Sequence, residues 1–295
     1  MNNFIQKLYN SSPIFYKIYQ ESFLKTPLHK LKQFVRFLNF KTKTAWEYLQ
    51  TIPRRLGYKD PRYSNLLAMK DKYKGKRCFI TCTGPSLTIE DLEKLEGEYA
   101  FGMNSISMIH DKTQWKPDFF GVQDIYVYAK IKDYVLSTDN GIVFVPYPYK
   151  KRFSTPADWV YFHMSGSYHL YERSYGPRYF SKFTDNGYVT IYDGYSIMYS
   201  ILQLVVYMGF EEIYLLGADC SYSGDKKHFI EHGSNSTMLN KATEMLFASY
   251  REAKKYADAH GIKIYNATRG GCLEIFPRVT LEDVLARNEK NKRAE

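Results

Sequence analysis

A chain of 295 residues with 44% hydrophobic side chains can bury one substantial core and a smaller appendage, which excludes two unrelated large domains. Four cysteines, Cys78, Cys82, Cys220 and Cys272, are too few and too scattered for a disulfide scaffold and read as buried free thiols in a reducing cytoplasm. The net charge of +10 is one-sided: residues 1–76 hold 16 Lys and Arg against 4 Asp and Glu, and the rest of the chain 25 against 27, so the excess is N-terminal.

Residues 1–70 alternate basic and large apolar positions. Ile5, Leu8, Ile14, Phe15 and Ile18, then Leu31, Phe34, Val35 and Leu38, recur at spacings of three and four among Lys25, Lys30, Lys32, Arg36, Lys41 and Lys43. The spacing predicts amphipathic helices broken near Pro13, Pro27 and Pro53. Such helices suit an anionic membrane surface, and equally a packed hairpin with a solvated basic face. No nucleic-acid-binding motif accompanies the charge, so nucleic acid is not expected as a partner. Met1–Tyr19 is too polar for a signal peptide, and the longest apolar run, Ser196–Phe210, carries Gln203 and is too short to span a bilayer.

The stretch Arg77–Leu87 reads as a buried strand, a Thr-Gly-Pro-Ser turn and a helix start, with Ser86 or Thr88 as cap and Glu90 and Asp91 in the first turn. This arrangement can cradle an anion on backbone N–H groups or be an ordinary βα turn. It carries neither G-x-x-x-x-G-K-[ST] nor G-x-G-x-x-G, which argues against a P-loop NTPase or a dinucleotide enzyme. Further strands are expected over Tyr99–Asn104, Phe119–Asp124, Gly141–Tyr147, Glu212–Leu216 and Lys263–Tyr265, with helices over Ser196–Met208 and Asn240–His260. This alternation predicts a 71–295 α/β domain with a Rossmann-like, mostly parallel sheet and helices on both faces. Thr83, Asn104, Gln123, Asp124 and Asp219 all follow strand C-termini, where the ligand crevice of an open α/β sheet lies. Between about 147 and 186 the pattern dissolves into aromatics, including Tyr149, Trp159, Tyr161, Phe162, Tyr168 and Tyr175, and reads as a lid or as a packed aromatic subdomain.

After Asp219 the chain enters a polar loop carrying Tyr222, His228 and His232. His228 suits a general base; with His232 at i, i+4 it also has the spacing of a metal pair, though no third ligand with persuasive spacing is visible and no Asp-x-Asp occurs.

From about Gly75 onward the chain resembles the MptE-like superfamily, which includes motility accessory factor central domains and archaeal hydroxymethylpterin pyrophosphokinases. Behind that family it resembles the bacterial CMP-sialic-acid-dependent sialyltransferases. The likeness rests on Cys82-Thr83-Gly84-Pro85-Ser86-Leu87, on the strand ending at Asn104, on Glu211 to Asp219, on Lys227-His228-Phe-Ile-Glu-His232, and on Ile264-Tyr-Asn-Ala-Thr-Arg-Gly-Gly271. Thr83 stands where the sialyltransferase pattern has Asn, and Asp193-Gly-Tyr-Ser196 replaces an Arg-Ile-Thr-Ser-Gly segment. The resemblance implies a nucleotide-sugar donor, CMP-linked, held by Thr83, Gly84, Pro85, Ser86 and Asn104 and lined by Gln123, Asp124, Ser196, Gly217 and Asp219. It implies Tyr222 on the leaving phosphate and His228 as base in an inverting transfer, of a nonulosonic acid or similar sugar, that requires no metal. The acceptor would be a glycan or lipid-linked precursor, and the protein cytoplasmic and peripheral at the inner membrane face, with homo-oligomerisation left open. The alternatives are an MptE-like pyrophosphokinase using ATP and Mg²⁺, or a non-catalytic scaffold of a glycan-assembly complex.

Overall fold

The computed structural model describes residues 25–109, 111–137, 139–168, 179–220 and 239–292. Helix α1 (Lys25–Arg55) is followed by a 3₁₀ turn (Pro61–Tyr63) and the short α2 (Ser64–Leu67). Next come β1 (Arg77–Thr81), α3 (Ile89–Glu93), β2 (Tyr99–Met103), a 3₁₀ turn (Asn104–Met108), β3 (Phe119–Gly121), α4 (Ile125–Ser137) and β4 (Ile142–Pro146). The chain continues through α5 (Pro148–Arg152), β5 (Val160–Phe162), β6 (Met164–Ser165), β7 (Ile191–Tyr192), α6 (Ile197–Tyr207) and β8 (Glu212–Leu216). It closes with α7 (Leu239–Ala259), β9 (Lys263–Asn266) and α8 (Leu281–Lys292).

Seven strands form one sheet in the order β5-β4-β3-β2-β1-β8-β9, every neighbouring pair parallel, with helices packed around it. The α/β, Rossmann-like reading therefore holds. Strands buried on both faces need continuous apolar runs, and Cys78, Phe79 and Ile80 of β1 and Ile213 and Leu215 of β8 are fully buried. Chain order runs outward from β1 to β5 on one side and from β8 to β9 on the other. The β1–β8 junction is thus the point where strand order reverses, and where ligands enter open α/β sheets.

Four expectations change. The helix is not broken near Pro27, which α1 runs through in its first turn, where the missing N–H has no helical partner anyway; it does end near Pro53, at Arg55, and Pro13 lies outside the described residues. The core begins before residue 70, with Tyr63 and Leu66 buried. In the 147–186 segment, Val160–Phe162 completes the sheet against β4, and Tyr149, Trp159, Tyr161 and Phe162 are buried. Their rings meet edge-on, with Tyr128 at 5.2 Å from Tyr149 and 4.7 Å from Phe153, so this half of the expected lid is core. Tyr171 and Tyr175 lie outside the described residues. All four cysteines are free; Cys78 and Cys82 are buried, but Cys220 is half-buried and Cys272 exposed, which corrects the expectation that all would be buried.

Helix α1 has two faces. Phe40, Glu47, Thr51 and Arg54 turn inward: Phe40 meets Tyr168 edge-on at 5.9 Å, and the buried Arg54 donates to Val189 O at 2.8 Å and sits 4.7 Å from the Tyr63 ring centre. Leu31, Phe34, Val35, Leu38, Trp46 and Leu49, at helical spacing, form an exposed apolar stripe on the other side. Among the described residues no helix is long and apolar enough to cross a membrane.

Candidate functional site

At the β1–β8 junction a cavity of about 280 Å³ opens at the C-terminal edge of the sheet. Its walls include Thr83, Gly84 and Pro85 after β1, Asn104 after β2, Gln123 and Asp124 after β3, Ser196 at the start of α6, and Gly217 and Asp219 after β8. The structure therefore brings together every sequence-predicted donor residue except Ser86. Ser86 turns away and donates its hydroxyl to Asp219 Oδ2 at 2.8 Å, while its N–H reaches the same oxygen at 3.4 Å.

The turn after β1 is a brace rather than an anion cradle. Gly84 N–H donates to Gly217 O at 2.9 Å, Ser86 N–H is spent on Asp219, and Pro85 has no N–H to offer. Helix α3 is only five residues long and closed by a capping box, Thr88 Oγ1 accepting from Asp91 N at 3.2 Å and Asp91 Oδ2 from Thr88 N at 3.0 Å. Glycine is required at position 84 on steric grounds, since a Cβ there would lie 2.0 Å from Asp219 Oδ2 and 2.4 Å from Gly217 O.

Several predicted polar groups are already engaged. Asp124 Oδ1 caps α4, accepting from Tyr126 N at 2.7 Å and Val127 N at 3.3 Å. Gln123 accepts from Ser200 Oγ at 2.6 Å and donates to Asp193 Oδ1 at 3.3 Å, tying β3 to α6 and to the segment before it. Ser196 Oγ is bonded to Tyr250 OH at 3.0 Å instead of capping α6, which leaves the N–H groups of Ile197 and Met198, both cavity-lining residues, without a side-chain cap. The amide of Asn104 and the hydroxyl of Thr83 have no partner among the described residues and are available to a ligand. No Lys or Arg lines the cavity among those residues.

Sequence reasoning missed Tyr195, Met198, Leu246 and Tyr250 as lining residues. Leu246 and Tyr250 are i, i+4 on α7 and share a face, a signal that reads equally well as core. It also assigned no role to Ile264–Gly271, which holds the far wall in place. Thr268 Oγ1 accepts from Ala218 N at 2.9 Å, Cys272 N donates to Asp219 O at 2.8 Å, and Arg269 grips Asp91 with both guanidinium arms. Burial pushes the Cys220 thiol up to about 12 and raises the Cys82 thiol well above its ordinary value, so neither is a thiolate nucleophile. No group of His, Cys, Asp and Glu among the described residues could hold a metal ion.

Tyr222, His228 and His232 lie outside the described residues. The chain on either side of them is anchored at the cavity: Cys220 lines it, and Thr243 Oγ1 donates to Cys220 O at 3.1 Å.

A sequence model of the family described as "6-hydroxymethylpterin diphosphokinase MptE-like" matches residues 58–225. A comparison with curated proteins finds no match. Among solved structures the chain is similar to the MAf glycosyltransferase from Magnetospirillum magneticum AMB-1, with 16% identity and a TM-score of 0.43 over 79% of this chain and 41% of that one. The chain thus spans less than half the length of that protein.

Proposed function

The chain belongs to the 6-hydroxymethylpterin diphosphokinase MptE-like family, and from that premise we propose that it is a glycosyltransferase whose donor is a sugar linked to a nucleoside monophosphate, CMP favoured. The observation that carries this reading is the electrostatics of the cavity. Its anion-facing group is the uncapped N-terminus of α6, worth about half a positive charge, and no Lys or Arg lines it among the described residues. A monophosphate diester bears a single negative charge and suits that site; a triphosphate facing Asp124 and Asp219 would need cations that these walls do not supply.

In this reading Asn104 and Thr83 contact the nucleoside, and the backbone N–H groups of Ile197 and Met198 take the phosphate. The acceptor oxygen bonds to the anomeric carbon as the bond from that carbon to the phosphate oxygen breaks. The nucleoside monophosphate leaves with the electron pair, the acceptor proton passes to His228, and Tyr222 donates to the leaving phosphate. Attack from the face opposite the leaving group inverts the anomeric centre, and a nonulosonic acid is the favoured sugar. The exposed stripe of α1, flanked by Arg36, Lys41 and Lys43, rests on an anionic membrane surface and so keeps the enzyme peripheral to the bilayer.

A thermal-shift screen of CMP, UDP, GDP and ATP, each with and without Mg²⁺, tests the donor, since a ligand that binds only the folded state raises its apparent stability. CMP is expected to shift the midpoint without Mg²⁺, and His228→Ala to keep that shift while losing roughly 10²–10⁴-fold in kcat. A shift from ATP with Mg²⁺ and none from CMP would establish the pyrophosphokinase reading instead.

A further inference from the structure

A second cleft, of about 440 Å³, lies between α1 and the ribbon made by β6 and β7. On the glycosyltransferase reading, we propose that this cleft is the acceptor subsite and takes a short saccharide.

The walls have the chemistry of a sugar site. Tyr48, Tyr168 and Tyr192 line it with rings that carry polar rims, and Tyr168 meets Tyr192 edge-on at 5.4 Å, so the two present differently oriented surfaces; Tyr256 is stacked between Phe183 and His260 and closes the wall. Charge is present in both signs: Arg55 and Lys182 face Glu47 and Asp185 across the same space. Their cancellation disfavours a polyanion, while hydroxyl groups can donate to the carboxylates and accept from the cations. The charged groups are held in place. Lys182 Nζ lies 4.6 Å over the Tyr168 ring, and Arg55 lies 5.0 Å over Tyr48 and donates to Thr51 Oγ1 at 3.0 Å. Glu47 accepts from Ser165 and Ser167, the latter at 2.7 Å.

The position of this cleft makes its occupant the acceptor. Tyr192 lines it, while Tyr195 and Ser196 line the donor cavity, so one short strap borders both. Four residues of extended chain reach at most about 14 Å, which bounds the separation of the two sites along the strap. The strap is clamped as well: Gln203 accepts from Tyr192 N at 3.0 Å and donates to Tyr192 O at 2.8 Å, and Gln123 donates to Asp193. Gly194 is pressed against Tyr199, where a Cβ would come within 2.1 Å of the ring. A sugar on Tyr192 is therefore held at a fixed offset from the donor, and the far end of a short saccharide, extended along the strap, is what would reach the reacting carbon.

The test is saturation-transfer NMR on the full-length protein with a fixed panel of galactose, glucose, N-acetylglucosamine, N-acetylgalactosamine and their β-linked disaccharides. At least one panel sugar is expected to receive magnetisation, with its dissociation constant raised tenfold or more in both Lys182→Ala and Tyr192→Leu. Lys182 is exposed, so Lys182→Ala keeps the test valid if Tyr192→Leu folds poorly. The CMP thermal shift is expected to stay unchanged in Lys182→Ala. No transfer to any panel sugar, or transfer undiminished in Lys182→Ala, overturns the proposal. Sugar binding that is lost in the variants, from a protein that no nucleotide shifts, supports the cleft as a saccharide site and overturns the donor reading.

Discussion

Replacing Gly84 by Ala probes the junction on which the donor cavity is built. The new methyl would lie 2.0 Å from Asp219 Oδ2 and 2.4 Å from Gly217 O, against about 3.5 Å for an unstrained contact, so the two loops must part by more than an ångström. That movement breaks the Gly84 N–H···O=C Gly217 bond of 2.9 Å and pulls Ser86 off Asp219. The first loss costs about 1 kcal/mol and the second, a hydrogen bond to a charged group, about 1.5–3 kcal/mol, so a destabilisation of about 2.5–4 kcal/mol is expected. Gly261→Ala is the control: nothing lies within 4 Å of its Cβ, so only its left-handed φ of +72° is penalised, at about 1–2 kcal/mol. Urea unfolding measures both, with the midpoint falling at constant m-value, and the Gly84→Ala protein should also lose its nucleotide-induced thermal shift. Equal costs at the two glycines, or a Gly84→Ala protein of wild-type midpoint, would refute the argument that the loops are braced through this contact.

Two further outcomes are expected. Burial, followed by the positive charges of Arg54 and Arg62, holds His163 down to about 4, below its ordinary 6.5. Because the folded state resists the proton that the unfolded state accepts, its stabilisation is complete above pH 6.5 and is lost as pH falls toward 4, by at most about 3 kcal/mol at 1.36 kcal/mol per pH unit. His163→Gln should flatten that part of the urea-midpoint profile, and parallel profiles for the two proteins would count against it. On the exposed stripe of α1, Leu31, Phe34, Val35 and Leu38 together replaced by Ser should abolish sedimentation with anionic liposomes while leaving the CMP shift intact. Binding that persists in the variant removes the stripe as its seat, and a wild-type protein that does not sediment with the liposomes removes the membrane role.

What was legible in the sequence is what local pattern encodes. β1 and β8 are short apolar runs ending in Gly-containing turns, and β8 matches its expected bounds of Glu212–Leu216. The positions after strand ends converge because a parallel sheet sends all its C-termini to one edge. What was not legible is non-local or ambiguous. β5 is three residues of Val, Tyr and Phe inside an aromatic tract, too short to show a period. α4 opens Ile125-Tyr-Val-Tyr-Ala-Lys-Ile-Lys, whose alternation resembles a strand, and its helical start depends on the Asp124 cap. Whether Thr83–Ser86 is an anion cradle or a plain turn depends on Gly217 and Asp219, more than 130 residues away, which accept the N–H groups of Gly84 and Ser86.

Backbone strain marks the cavity in a way that no sequence pattern could. Among the described residues four non-glycine positions adopt left-handed conformations: Asp71 (φ 55°) lies elsewhere, while Asn104 (φ 47°), Tyr195 (φ 72°) and Cys220 (φ 52°) all line the donor cavity. Each costs about 1–3 kcal/mol and persists only where its surroundings over-determine it. The surroundings are visible: Asn104 is wedged between β2 and its 3₁₀ turn, Tyr195 follows the clamped Asp193-Gly194, and Cys220 O is held by both Thr243 and Cys272. Asn104 and Cys220 also sit where the chain leaves the C-terminal edge of the main sheet, and Tyr195 where it passes from the β6–β7 ribbon into α6. A chain selected only for stability would place glycine at such turns, so their concentration around one 280 Å³ space is independent support for that space as the seat of function, whichever nucleotide it proves to hold.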